Sequence, residues 1–151
     1  MILTLVHSHS RMSLVVRCVW WGFCPARGTG AAIASPWVNT EGMQAHIDEI
    51  ERNVADGAHT VLIMDCAGWH ANSELVMPTN ITPILLPPQA LEFNPVENIW
   101  QYMRANWLSN RVFENYDAIT EAICQAWNYL IEVPDTITSI GKRELAHVGR
   151  S

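Results

Sequence analysis

The sequence lacks long apolar runs and an excess of positive charge. No run approaches the roughly 18 residues of a membrane-spanning helix, and the opening MILTLVHSHSRM lacks a basic leader followed by a clean apolar stretch. We therefore expect neither a membrane partner nor a signal peptide. The net charge of the 151 residues is −6. A protein whose whole role was to grip a nucleic-acid backbone would usually be basic, so any main grip on DNA should come from another domain or subunit.

Paired cysteine motifs are also absent. The four cysteines, Cys18, Cys24, Cys66 and Cys124, form no CxxC pair and share no repeated spacing. His70 follows Cys66 by four positions, but no second pair of ligands stands near them in the sequence to complete a zinc site. We predict reduced thiols in a cytosolic protein.

The composition is that of one folded domain, with 49% hydrophobic and 16% charged residues. Residues 13–24 are rich in β-branched and aromatic side chains and predict one or two strands, with a returning strand at 31–35. The apolar run at 59–65 is typical of a strand buried on both faces. Residues 81–86 predict a further strand, which Pro83 assigns to a sheet edge or a bulge.

Apolar spacing predicts helices in three places. One follows the capping candidates Asn39 and Thr40, one covers 95–108, and one covers 118–133 and ends before Pro134. Strands followed by strands that alternate with helices imply an α/β protein with a mixed sheet.

Two carboxylates are candidates for chemistry. Asp65 closes the apolar run, and ligands of open α/β sheets bind beyond the carboxyl ends of the strands; the alternative is a turn residue bonded to its own backbone. In FNPVENIW, Asn94 and Glu97 have the spacing of a capping box. If the two strands are neighbours and parallel, both acids face one sheet edge, where they can share divalent cations.

Two segments together resemble a known family. VLIMDCAGWH (61–70) followed by LPPQALEFNPVENIW (86–100) resembles the DDE transposases of the mariner superfamily, in their bacterial insertion-sequence branch. CPARGTGAA (24–32), NTEGMQAHIDEI (39–50) and WLSNRVFENY (107–116) resemble the same family. The resemblance covers residues 22–148 and leaves 1–21 as an atypical lead-in.

The resemblance implies an α/β, RNase H-like fold, a mixed sheet flanked by helices, in a bacterial cytoplasmic enzyme. In that family three carboxylates hold Mg²⁺ or Mn²⁺, and water and then a DNA 3′-hydroxyl attack phosphodiester bonds at transposon ends. Asp65 corresponds to the second acid and Glu97 to the third, so Glu97 is expected both to cap its helix, with Asn94, and to bind metal. The other residues that the resemblance marks as possible substrate contacts are His70, Arg104 and Arg111, and ordinary structural or solvated roles are their alternative.

The first acid of the family has no counterpart. It lies on the first strand, upstream of the hairpin at 24–32, whereas the first 40 residues here contain no Asp or Glu. The family's helix-turn-helix DNA-binding region is missing too. We therefore expect a truncated copy of the catalytic domain, with its first strand or strands missing or replaced, that is inactive alone.

Two alternatives remain open. One is a non-catalytic interaction module that binds or inhibits an intact transposase subunit, or forms a homodimer, through the helices at 95–108 and 118–133. The other is a residual nuclease that recruits Asp48 or Glu49 as its third acid.

Overall fold

A mixed sheet forms the centre of the molecule. The computed structural model describes residues 2–7, 18–35, 39–64, 74–87 and 96–142. Within these ranges five strands form one sheet of order β3-β2-β1-β4-β5. The strands are β1 (Ile2–His7), β2 (Cys18–Cys24), β3 (Thr29–Ser35), β4 (Thr60–Met64) and β5 (Ile81–Leu85). β1 is antiparallel to β2 and parallel to β4, and β5 is parallel to β4.

The predicted strands are confirmed. β2 and β3 form an antiparallel hairpin whose pairing runs from Cys18 with Ser35 to Cys24 with Thr29. β4 carries the continuous apolar run, and its neighbour β5 is an end strand of the sheet, the position that Pro83 favours because proline donates no ladder hydrogen bond.

β1 was not identified from the sequence. It fills the centre of the sheet, where Leu3–His7 pair with β2 and Ile2–Thr4 pair with β4. The sequence predicted that the first strand of the family is missing or replaced. In the structure a strand stands between β2 and β4, and its sequence, ILTLVH, contains no carboxylate.

Helices cover both faces of the sheet. α1 (Thr40–Arg52) begins at Asn39, whose side-chain oxygen accepts a hydrogen bond from the Gly42 N–H at 2.9 Å. α1 packs on the face that Leu62 and Met64 present. The other face, which includes Ile63, is covered by α2 (Val96–Met103), a π-helical turn (Arg104–Leu108), α3 (Tyr116–Ile131) and α4 (Pro134–Lys142).

The helix predictions are confirmed with two corrections. α3 ends at Ile131, two residues before the predicted end at 133, and Ile131 is 41% exposed although the helix was predicted from apolar spacing. α4 was not predicted, because Pro134 was read as a terminator whereas it is the first residue of the next helix, a position where a missing N–H costs nothing. Within the described part of the chain, no helix is both long and apolar enough to cross a membrane.

α4 fixes the turn between β2 and β3. Gly28 in that turn has a φ of 61°, and a Cβ built there would lie 2.5 Å from the carbonyl oxygen of Pro134. At the other end of α4, Gly141 lies against Pro25 in the same turn. The glycines therefore allow the helix and the hairpin tip to approach closely.

We expect Gly28→Ala to destabilise the protein by about 3 kcal/mol or more, because the left-handed backbone conformation and the overlap with Pro134 both oppose a side chain. Gly57→Ala is the matched control. Gly57 has a φ of 73° but nothing within 4 Å of its added Cβ, so only the backbone term of about 1–2 kcal/mol applies. Urea unfolding of the two variants measures the difference, and equal losses would mean that α4 does not restrict the turn.

Candidate active site at the carboxyl edge of the sheet

The carboxyl ends of three parallel strands meet at one edge of the sheet. β1, β4 and β5 run in the same direction, and the Leu86 N–H after β5 donates to the carbonyl oxygen of Met64 at 2.7 Å, so β4 and β5 end level. The parallel arrangement on which the sequence argument depended is therefore present. Asp65 follows Met64 in the chain and lies outside the described residues, as does His70.

Glu97 is the second residue of α2, the first helix after β5. Its side chain is half-buried, while Val96, Ile99 and Met103 of the same helix are buried. α2 contacts both β1 and β2, so the helix start that carries Glu97 belongs to a segment packed over the centre of the sheet. Asn94 lies outside the described residues, and the capping box stays a prediction.

An aromatic cluster beneath α2 holds the helix in place. Trp21 of β2 makes edge-to-face contacts with Trp100 of α2 at 5.5 Å and with Trp127 of α3 at 5.8 Å between ring centroids. Phe23 lies 5.1 Å from Trp127. These rings pack in one core cluster, which fixes α2 relative to β2.

The sheet separates α1 from Glu97. Asp48 of α1 accepts a hydrogen bond from the Gln44 side-chain amide at 2.9 Å, and Glu49 forms an ion pair with Arg52. Both acids lie on the helix that covers the face opposite α2. The structure therefore does not bring Asp48 or Glu49 beside Glu97, since the sheet stands between them, and the residual-nuclease alternative stays a prediction.

Arg104 and Arg111 lie beyond the far end of α2. Arg104 follows Glu97 by seven residues, about 10 Å of helical rise, and both arginine side chains are exposed. The Arg111 guanidinium donates to the Trp107 carbonyl oxygen at 3.4 Å and lies 5.6 Å from the centre of the Phe113 ring. The two arginines are thus placed on the surface away from the start of α2.

A π-helical turn separates the two arginines, and the sequence pattern did not reveal it. The carbonyl oxygen of Arg104 accepts from both the N–H and the hydroxyl of Ser109, at 2.8 and 2.7 Å. π-helical turns are frequent at functional sites. The sequence did not indicate this one, because the four-residue spacing of Met103 and Trp107 is equally compatible with an ordinary helix. Asn110, with a φ of 60°, then ends the turn.

The donor set suits one hard divalent cation. Asp65 and Glu97 offer carboxylate oxygens, and Mg²⁺ is commonly held by one or two carboxylates while it keeps several waters. β1 adds no third carboxylate, so the candidate site has two carboxylates where the resemblance implies three. Among the residues that the structure describes, no three His, Cys, Asp or Glu side chains cluster closely enough to hold a metal.

Comparison with known proteins identifies the family of the chain. Residues 8–120 match the model of a family described as DDE superfamily endonuclease. The match begins inside the stretch 1–21 that the sequence analysis set apart, and the boundary proposed there stays a prediction. The "Uncharacterized protein y4pE/y4sA" of Sinorhizobium fredii (strain NBRC 101917 / NGR234) is 54% identical over 129 residues, which are 85% of this chain and 96% of that protein.

A solved structure shares the fold. The crystal structure of the catalytic domain of Mos1 mariner transposase superposes with a TM-score of 0.61 at 8% sequence identity, over 95% of this chain and 81% of that one. The expected RNase H-like α/β fold, a mixed sheet flanked by helices, is therefore confirmed. The chain belongs to the DDE superfamily endonucleases and has the fold of a mariner transposase catalytic domain.

Proposed function

We propose that this chain is a DDE transposase catalytic domain that keeps a two-carboxylate cation site, Asp65 and Glu97, and does not carry out DNA cleavage and strand transfer alone. The observation that carries the proposal is β1. This strand occupies the centre of the sheet, is hydrogen-bonded to β2 and β4, and has the sequence ILTLVH where the family places its first acid.

Without a third carboxylate, the chain is expected to bind a cation but not to catalyse DNA cleavage. Two acids suffice to bind Mg²⁺ or Mn²⁺ weakly. When bound in such enzymes, paired cations activate the attacking oxygen and stabilise the leaving oxygen of a phosphodiester, which requires both ions to be held about 3.5–4 Å apart. Asp65 and Glu97 would hold a cation without fixing a second one beside it.

DNA, and the transposon ends in particular, remains the proposed partner of the site. Arg104 and Arg111 are exposed cations that could contact phosphate oxygens, with His70 nearer to Asp65 in the chain. With a net charge of −6, the chain should bind DNA weakly by itself, and its few phosphate contacts should give that binding only a shallow dependence on salt. We place the protein in the bacterial cytoplasm, where a second copy or an intact transposase subunit would supply the main grip.

The proposal predicts cation binding without nicking. The purified chain should bind Mn²⁺ in an electron paramagnetic resonance titration, and both Asp65→Asn and Glu97→Gln should weaken that binding by about tenfold or more, since each removes half of the charged ligands. Supercoiled DNA incubated with the chain and Mg²⁺ or Mn²⁺ should stay intact.

Glu92→Gln is the matched control, because it removes one carboxylate five positions before Glu97 in the sequence and should leave Mn²⁺ affinity unchanged. DNA nicking by the wild-type chain that disappears in both Asp65→Asn and Glu97→Gln would show that the two acids support the chemistry. The proposal that the chain is inactive alone would then be wrong. Mn²⁺ binding equal in all four proteins would refute the site itself.

One observation opposes the interaction-module alternative and another supports it. The apolar stripes of α2 and α3, which were its expected contact surface, are packed in the core beside Trp21 and Phe23. The strand β5 instead exposes Ile84 and Leu85, 48% and 41% accessible, beside a strand edge that has no neighbouring strand among the described residues. A folded, cation-free chain that forms a complex with an intact transposase would favour this alternative.

A further inference from the structure

The side-chain amide of Gln44, on α1, pairs with the backbone of Val76. The Val76 N–H donates to Gln44 Oε1 at 2.8 Å, and Gln44 Nε2 donates to the Val76 carbonyl oxygen at 3.0 Å. The two bonds reproduce the exchange that two residues make in an antiparallel sheet. Gln44 thus acts toward Val76 as a neighbouring strand would, although 32 positions separate the residues.

Asp48 fixes the orientation of this amide. Gln44 Nε2 also donates to Asp48 Oδ1 at 2.9 Å, one helical turn further along α1. A carboxylate can only accept, so it holds the nitrogen of the amide on its own side and leaves the oxygen for the Val76 N–H. Both amide hydrogens and the amide oxygen are therefore engaged.

The residues beside Val76 are held by packing, whereas Val76 is not. Leu75 and Met77 pack against the cluster formed by α1 and the sheet. Val76 lies between them with 71% of its surface exposed, so the hydrogen bonds to Gln44 supply its fixed contacts with α1. The segment 75–77 lies along α1 with alternate side chains turned inward.

This segment ends the connection that carries the predicted site. The chain leaves β4 after Met64, passes through Asp65 and His70, and returns through 75–77 to β5 at Ile81. Fixing residues 75–77 reduces the number of conformations open to the chain where it enters β5.

We propose that Gln44 is a positioning residue that fixes the course of the β4–β5 connection and, through it, the placement of Asp65; the second part rests on the proposed cation site. The family-like helix at 39–50 then has a role besides packing.

Hydrogen–deuterium exchange of the whole chain tests the first part. In Gln44→Ala, the Val76 amide should exchange about tenfold faster, the equivalent of one net hydrogen bond, and peptides covering 65–77 should exchange faster with it. Gln44→Glu should exchange at least as fast as Gln44→Ala, because its carboxylate cannot donate to the Val76 carbonyl and is repelled by the Asp48 carboxylate. Gln125→Ala, at an exposed position of α3, is the matched control and should resemble the wild-type chain.

Mn²⁺ titration of the same proteins tests the second part. Gln44→Ala should weaken Mn²⁺ binding several-fold under conditions in which circular dichroism shows that the chain is fully folded, a pattern that a general loss of stability does not produce. Unchanged exchange of Val76 and of 65–77 in Gln44→Ala would overturn the proposal. Faster exchange with unchanged Mn²⁺ affinity would overturn the positioning of Asp65. A wild-type chain that binds no Mn²⁺ would refute the cation site, while the exchange result would still decide the role of Gln44 in the connection.

Discussion

Replacing Leu5 by Asp should give the chain metal-dependent DNA nicking. The substitution introduces a carboxylate on the central strand β1, where the proposed function places the missing first acid. Because loss of one essential group typically lowers kcat by about 10³-fold or more, we expect a gain of about that size over the unmodified chain in Mg²⁺- or Mn²⁺-dependent nicking of supercoiled DNA.

The strand register selects position 5. Thr4 pairs with Met64, so Leu5 is the next residue of β1 just as Asp65 is the next residue of the chain after β4. On its other side, Leu5 pairs with Trp21, which belongs to the cluster beneath α2. Directly paired residues lie on the same face of a sheet, so position 5 belongs to the face that α2, the helix of Glu97, covers.

Two control variants separate the effect of the new negative charge from the effect of its position in β1. Leu5→Asn has nearly the same shape as Leu5→Asp without the negative charge, and it should not nick DNA. Thr4→Asp carries the charge one residue away, at a position paired with Met64 on the α1 face, and it too should remain inactive.

Stability provides a second measurement for the same variant. A carboxylate without partners in the sheet costs several kcal/mol, so Leu5→Asp should unfold at lower urea concentration than the wild-type chain. A cation that binds only the folded variant restores stability by mass action, so Mn²⁺ should raise the midpoint of Leu5→Asp far more than that of Leu5→Asn. A folded Leu5→Asp chain that neither nicks DNA nor gains stability from Mn²⁺ would show that β1 is not the strand that carries the first acid.

Local patterns predicted much of this fold, and the failures have a common physical cause. The run at 59–65 and the turn before Thr29 have signatures within a few residues, and both gave the right strands. β1 has the unremarkable sequence ILTLVH, and its identity depends on pairing with β2 and with β4, more than 50 positions away. Such pairing is a property of the whole sheet and leaves no local mark.

The site was predictable to a similar degree. The strand end before Asp65 and the helix start at Glu97 could be read from their neighbours. That α1 lies on the opposite face from Glu97 could not, because helix spacing shows which side of a helix is apolar and not which face of the sheet it covers. Gln44 was missed for the same reason as β1, since its partner Val76 is remote in the sequence.

Replacing Trp21 by Ala should remove much of the free energy of unfolding of the protein. The side chain is 4% exposed and contacts Trp100, Trp127 and Phe23. Removing such a side chain from a core costs about 3–5 kcal/mol, a large part of the 5–15 kcal/mol by which a domain of this kind is typically stable. Urea unfolding followed by far-ultraviolet circular dichroism measures the loss.

Trp21→Phe separates the contribution of ring packing to stability from that of the indole N–H. Among the described residues the buried indole Nε1 of Trp21 has no hydrogen-bond partner, so Phe removes an unsatisfied donor as well as part of the ring. The relief of that donor offsets part of the lost packing, and we expect Trp21→Phe to cost less than about 1.5 kcal/mol. Equal losses in Trp21→Phe and Trp21→Ala would mean that the indole nitrogen is satisfied and that packing is not the main term. Since Trp21 supports Trp100 on α2, the folded fraction of Trp21→Phe should also keep the Mn²⁺ affinity of the wild-type chain, because the helix that begins at Glu97 stays in place.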